Sequence, residues 1–330
     1  MTVMISQPRE WQFQAKSPIW TGDVDRKGGR TLTTGLLGSL RWWFEVLVRG
    51  LGGSACDPAE SGGRCPDKND KHCVVCELFG CTGWARKFRF DVLDKDGKVK
   101  RDQIKKDETF CFRFTPLRPV RDEEWALLDL TLRLIADYGA IGGKTVLKPS
   151  DEKDREKELH HQDYGLIAVD RSPDSPPMSR QVLQRYLASG WRSVDHGDFS
   201  WASLKSFWWV ERKLARQSNT QSAFNRLLGR KEDKSIKERR GKHVIRGSDS
   251  LANGKDEVSR WLAGSRQESK KVFSFKDPPR TFGFVNPGLL SLDEMRKRLN
   301  GVWQDLKNEE FLTGSNILDR LLAEVEGGAR

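Results

Sequence analysis

The sequence lacks any run of about 18 apolar residues, so no segment is expected to cross a bilayer as a helix. Met1–Arg9 carries no apolar signal-peptide core, and the expectation is a cytoplasmic protein that no membrane holds. Cysteine is scarce: six in 330 residues do not make a disulfide scaffold, and cytosolic thiols stay reduced. Histidine is scarce too. His72, His160, His161, His196 and His243 lie scattered through polar segments, and no H-E-x-x-H or paired-carboxylate motif accompanies them. With no visible acid–base pair, the expectation is a protein that is not an enzyme. The alternative left open is a metal-independent endoribonuclease using a lone His or Asp beside a phosphate.

What the chain does have is length and positive charge. Its 330 residues suffice for two domains, and its net charge is +11 with a pI of about 9.4. The excess is local: Lys205–Lys276 holds 19 Lys/Arg against 8 Asp/Glu, and the rest is balanced. Such a stretch suits a polyanion, RNA or DNA first, or else is a solvated loop.

The first half has a readable order. Glu10–Ala15 alternates as a short strand, and Gly22–Thr34 is a polar, glycine-rich loop. Leu36, Leu40, Trp43, Leu47 and Leu51 keep helical spacing. An irregular, cysteine-rich insertion covers 52–81. Lys87–Asp94 and Thr109–Thr115 alternate as strands around a charged turn, placing Phe88, Phe90, Phe110, Phe112 and Phe114 on one face. Lys87, Arg89 and Arg113 are expected on the other, open face. Asp122–Tyr138 is a helix capped by Asp122, with a stripe of Trp125, Leu128, Leu132 and Ile135. Tyr164–Asp170 is a last strand. That order is βαββαβ, an α+β, ferredoxin-like (RRM-like) unit over 1–170.

Beyond a linker at Arg171–Arg180, residues 171–330 read as a second, helix-rich domain. Helices are expected at Ser179–Ala188, Ser203–Arg216, Asp256–Leu262, Leu292–Lys307 and Asn316–Glu326, with short strands at Lys271–Phe275 and Thr281–Val285. A basic loop covers about 229–256, and Asp151–Asp163 is a charged, exposed insertion.

Three constellations carry chemistry. At the start of the first helix, Gly38, Ser39 and Arg41 suit phosphate binding by helix N–H groups and a guanidinium, with Trp42 and Trp20 as stacking surfaces. The plainer reading makes Arg41, Glu45 and Arg49 a surface ion-pair ladder. Tyr138–Thr145 (Y-G-A-I-G-G-K-T) fails the P-loop spacing, so no nucleotide hydrolysis is expected. Its glycines and Lys144 still suit a phosphate cradle; the alternative is a helix C-cap with Gly139 left-handed. Finally, Cys73 and Cys76 have the C-x-x-C spacing of a metal pair, and Cys56 and Cys65 complete a structural zinc site, with His72 and Cys81 as alternative ligands.

Several long motifs in order are similar to one family. P-I-W-T-G (Pro18–Gly22), T-G-L-L-G-S-L-R-W-W-F-E (Thr34–Glu45), V-R-G-L-G-G-S-A-C-D-P (Val48–Pro58) and C-E-L-F-G-C-T-G-W-A-R-K-F (Cys76–Phe88) resemble the RAMP superfamily, and within it the first subunits of the Cmr complex, the type III-B CRISPR effector. The resemblance implies tandem ferredoxin-like folds and glycine loops that bind RNA. It implies guide RNA, target RNA and the other Cmr subunits as partners, in antiviral defence, near the guide's 3′ end. Slicing there belongs to another subunit. Carried over by motif, Arg41 and the Gly142–Gly143–Lys144 loop are RNA contacts; with the residues read from the helix entry and the open sheet face, the expected RNA-binding set is Trp20, Arg30, Ser39, Arg41, Trp42, Lys87, Arg89, Arg113, Gly142, Gly143 and Lys144.

Overall fold

Alternating side chains build the first sheet. In β1 (Arg9–Ala15), Trp11, Phe13 and Ala15 are fully buried while the residues between them stay partly exposed. β2 (Phe88–Asp94) and β3 (Thr109–Pro116) bury Phe88, Phe90, Phe110, Phe112 and Phe114 on one face, as the alternation requires. With β4 (Ile167–Arg171) they form an antiparallel sheet in the order β2-β3-β1-β4. The computed structural model describes residues 7–22, 28–56, 63–143, 158–175, 177–194, 200–214, 216–218, 221–228, 236–239, 242–245, 256–264 and 269–327.

Two long helices cover the phenylalanine face. α1 (Thr33–Gly50) buries Leu36, Leu40, Trp43 and Leu47, and α3 (Asp122–Tyr138) buries Trp125, Leu128, Leu132 and Ile135. The cap of α3 is Arg121, one residue before the expected Asp122, and its N–H donates to Glu124 Oε2 at 2.8 Å. α2 (Val74–Phe79) is a single turn and a half inside the cysteine-rich segment. Each buried Phe or Trp contributes on the order of 2 kcal/mol. Direction comes from polar pins. Trp11 Nε1 donates to Asp129 Oδ1 at 2.7 Å, and Arg133 Nε donates to Asp129 Oδ2 at 2.8 Å, which fixes α3 over β1. α4 (Arg180–Ala188) follows, capped by Ser179 as expected.

The second sheet belongs to a separate compact unit. β5 (Phe207–Val210) leads to a small ribbon of β6 (Arg216–Ser218) and β7 (Gln221–Ser222), then α5 (Ala223–Leu227). A second ribbon pairs β8 (Ile236–Arg239) with β9 (Lys242–Ile245), and α6 (Glu257–Ala263) comes next. β10 (Val272–Lys276), β11 (Pro279–Phe284), α7 (Leu292–Asn300) and β12 (Leu312–Thr313) complete it. The sheet order is β10-β11-β5-β12, all antiparallel. The last helix, α8 (Gly314–Gly327), groups with the first unit.

The architecture is therefore mixed α+β with two four-stranded antiparallel sheets. The compact units interleave along the chain. One comprises Met1–Lys144, Tyr164–Lys205 and Gly314–Arg330; the other, Thr145–Asp163 and Ser206–Thr313. A division at 170/171 does not follow this grouping, because α4 and α8 pack with the first sheet's unit.

The expected helix Ser203–Arg216 is instead a short 3-10 turn at Leu204–Ser206 followed by β5. Phe207–Trp208–Trp209–Val210 lies between β11 and β12 and is an unbroken apolar run, so no polar residue alternates in it to reveal the period of two. α7 also stops at Asn300 rather than Lys307, at Gly301. The expected basic loop at 229–256 is described only at 236–239, 242–245 and 256, and the charged insertion 151–163 only from 158 onward. Among the described residues no helix is long and apolar enough to cross a membrane.

Candidate functional site

Three glycine-bearing segments, far apart in sequence, meet beside the start of α1. Thr21 Oγ1 donates to the Arg30 carbonyl at 2.5 Å and accepts the Leu32 N–H at 2.9 Å, tying Pro18–Gly22 to the helix entry. Ser39 Oγ, on the second turn, accepts the Gly142 N–H at 3.1 Å. The Gly143 N–H donates to the Trp20 carbonyl at 2.9 Å, which closes the triangle. Gly142 has φ +108°, and a Cβ there would lie 2.6 Å from the Trp20 carbonyl oxygen, so only glycine fits. Around this junction Gly22, Gly29, Arg30, Thr34 and Gly38 are exposed. α1 has no acidic residue in its first turn and no side-chain cap, so its N-terminal partial positive charge is not offset from within.

Trp20 does not offer a stacking face. It is 6% exposed, Tyr164 meets it edge-on at 5.5 Å, and Gly28 lies against its ring, where a Cβ would come within 2.4 Å. Trp42 is half-buried and packs edge-on against Trp43 at 5.0 Å. Gly139 has extended backbone (φ −117°) rather than the left-handed cap, and its missing side chain makes room for Trp43: a Cβ there would lie 2.7 Å from the ring. Lys144 lies outside the described residues.

The expected open basic face is charge-balanced. Lys87 is not on it. Its ammonium is buried, 2.6 Å from Glu77 Oε1 and 2.8 Å from Glu124 Oε1. The strand begins only at Phe88, so Lys87 turns inward beneath the sheet end. Tyr186 adds a hydrogen bond to Glu124 Oε1 at 2.9 Å, and His72 Nε2 meets Glu77 Oε2 at 2.7 Å. Arg89 is exposed but bonded to Asp91 at 2.8 Å, and Arg113 to Glu10 at 2.5 Å. Arg89 and Arg113 thus each have a carboxylate beside them.

The cysteine segment closes on itself. The Sγ atoms of Cys56, Cys65, Cys73 and Cys76 all lie within 4.8 Å of one another, and all four residues are buried. Cys56 Sγ is 3.7 Å from Cys73 Sγ and 3.4 Å from Cys76 Sγ. Such a set can hold one metal ion. Four thiolates with no open position suit a thiophilic, tetrahedral cation in a structural role. The alternatives fall away: His72 is committed to Glu77, and Cys81 lies outside the group in a bridge with Trp84.

Arg41 belongs to this second cluster. Nε donates to Glu45 at 3.0 Å, Nη1 to the Gly80 carbonyl at 2.8 Å and Nη2 to Cys76 Sγ at 3.1 Å. Burial works against its charge, but Glu45 and Cys76 outweigh it and raise its pKa. The supposed surface ladder is likewise internal: Glu45 and Arg49 are 6% and 5% exposed, and Arg49 Nη2 donates to the Cys56 carbonyl at 2.8 Å. Sequence reading missed Arg49 and Arg192 as partners of the cysteine segment. For Arg49 the i, i+8 spacing from Arg41 on one helix face was the available signal; Arg192, distant in sequence, had none.

Residues 12–147 match the family model described as the RAMP superfamily. No curated protein matches the sequence. Among solved structures, Cmr1 from Pyrococcus furiosus in its apo form is 10% identical, with a TM-score of 0.43, covering 94% of this chain and 99% of its own. A chain in a cryo-EM structure of the Type III-B Cmr-beta bound to cognate target RNA and AMPPnP is also 10% identical, with a TM-score of 0.47, covering 90% and 99%. Another, from the Type III-B Cmr-beta bound to cognate target RNA, is 9% identical with a TM-score of 0.45, covering 91% and 99%. The family model runs from β1 through the Gly142–Gly143 loop and so takes in the four cysteines and the Ser39–Gly142 contact; over those residues the chain is similar to the RAMP superfamily.

Proposed function

We propose that the chain is a non-catalytic RNA-binding subunit of a type III-B CRISPR effector, the Cmr complex, and holds guide and target RNA near the guide's 3′ end. The observation that carries the reading is the junction of Trp20, Ser39 and Gly142–Gly143. It brings three motifs of the RAMP type to one place, with exposed glycine backbone and the start of a helix, which is phosphate-binding chemistry. Arg30, Ser39 and Lys144 are the contacts in this reading, beside the exposed backbone of Gly22, Gly29 and Gly38; the Gly142 and Gly143 N–H groups are given to Ser39 and Trp20 and shape the loop that carries Lys144 in sequence. The two sheets share one strand order, so both halves are read as ferredoxin-like, the first with the cysteine-rich insertion. Zinc is the ion placed in the four-cysteine site, as a structural metal. The setting is the cytoplasm, with guide RNA, target RNA and the other Cmr subunits as partners.

The test is salt-dependent binding of end-labelled single-stranded RNA by the purified chain, with the same samples run on a denaturing gel. Salt-steep binding of intact RNA is expected. Arg30→Ala and Lys144→Ala should each lower the slope of log K against log salt by about 0.7, the single-strand value for one phosphate contact. Cut RNA would replace this reading with the endoribonuclease. Unchanged slopes in both variants would remove the site.

A further inference from the structure

A divalent ion held by four thiolates carries two net negative charges, and a buried charge needs compensation. The four cysteines are each 7% exposed or less. Two guanidiniums reach their sulfurs from outside the cysteine segment. From α1, Arg41 Nη2 donates to Cys76 Sγ at 3.1 Å. From the residues after α4, Arg192 Nη1 donates to Cys65 Sγ at 3.6 Å and to the Arg64 carbonyl. The Cys73 N–H adds a third donor to Cys65 Sγ at 3.2 Å.

Both guanidiniums are held from behind. Arg41 is gripped by Glu45 and the Gly80 carbonyl, and Arg192 Nε lies 4.0 Å from Asp67 Oδ2. The Arg192 N–H also donates to the His72 carbonyl at 3.1 Å, next to ligand Cys73. These contacts aim the forks at sulfur before any ion arrives, so little reorganisation accompanies binding. Two positive charges then face two negative ones.

We propose that Arg41 and Arg192 are the charge-compensating partners of a tetrathiolate metal centre for a thiophilic divalent cation, zinc in the first place. This rests on the reading of the four cysteines as a metal centre. The arginines do not ligate; they are positioning residues that orient and stabilise the thiolates through N–H···S bonds. Arg41 then has a task other than phosphate binding, on the face of α1 turned toward Cys76.

The experiment is a zinc titration of the metal-free full chain against a chromophoric chelator, paralleled by cobalt(II) spectra. Wild type should bind one equivalent and show a sulfur-to-cobalt charge-transfer band. Arg41→Met and Arg192→Met should each weaken zinc by about ten- to a hundredfold, the usual effect of losing an outer partner. Arg41→Lys should fall between, since an ammonium restores charge but not the fork. Arg89→Met should bind like wild type. Circular dichroism at saturating zinc checks that each variant folds, and the Lys variants at 41 and 192 serve where a Met variant does not. Wild-type affinity in the folded Arg41 and Arg192 variants would overturn the compensation and leave the metal centre standing. A wild-type chain without the charge-transfer band would overturn both.

Discussion

Ser39 accepts the N–H of Gly142 at 3.1 Å, joining the second turn of α1 to a loop 103 residues later. The bond matters because it sits between the two motifs most suited to phosphate. It also makes the junction sensitive to single atoms.

Gly142→Ala should damage both stability and RNA binding. At φ +108° an L-residue is strained, and the new methyl group meets backbone rather than a flexible side chain. The cost expected is about 1–3 kcal/mol. Urea unfolding should show the loss, and RNA affinity should fall with it. A variant with wild-type midpoint and affinity would remove the glycine requirement.

Lys87 and Arg89 are two residues apart and should behave in opposite ways. Lys87→Met leaves the buried Glu124 and the half-buried Glu77 without their ammonium, which costs about 3–5 kcal/mol. Arg89→Met removes an exposed ion pair and should stay within about 0.5 kcal/mol of wild type. Chemical denaturation of the two variants side by side checks this, and similar losses would contradict it.

Metal content should sort the six cysteines. Serine at 56, 65, 73 or 76 should abolish stoichiometric zinc and lower the thermal midpoint, while Cys81→Ser and Cys111→Ser should retain it. Elemental analysis of protein purified without chelator decides. Retention in Cys73→Ser together with loss in Cys81→Ser would mean a different ligand set.

Asp256 caps α6, accepting the Ser259 N–H at 2.9 Å and its hydroxyl at 2.7 Å. Burial alone would raise its pKa, but those two donors outweigh it and hold the carboxyl below its ordinary value. A depressed pKa stabilises the fold above the unfolded value, near 4, and the benefit is lost as pH falls through the folded one. Asp256→Ala should therefore cost about 1 kcal/mol at neutral pH. The gap from wild type should narrow below about pH 4. A gap independent of pH would place the effect elsewhere.

Much of the first sheet was legible because it has one wet face. Phe88, Phe90, Phe110, Phe112 and Phe114 alternate with polar residues, and that alternation survives in the burial. β5 was not legible, since Phe207–Val210 is an apolar run in a sheet interior and short apolar runs do not reveal their period. The C-x-x-C spacing pointed to a pair able to share a metal ion, and the structure gathers Cys56 and Cys65 to it. Partner choice was the illegible part. Arg41 and Lys87 read as surface cations because sequence shows their charge and not the carboxylates and sulfur that tertiary folding brings to them. Trp20 read as a stacking surface because nothing local announces that Gly28 and Tyr164 will cover it.

The proposed RNA interface is a defined set of segments around the start of α1. Photo-crosslinking of 4-thiouridine-substituted RNA to the purified protein, with the adducts mapped by mass spectrometry, tests this directly. The expected adducts lie within residues 20–22, 28–39 and 142–144. Adducts confined to other segments, with these peptides recovered unmodified, would contradict the assignment of the Trp20–Ser39–Gly142 junction as the RNA interface.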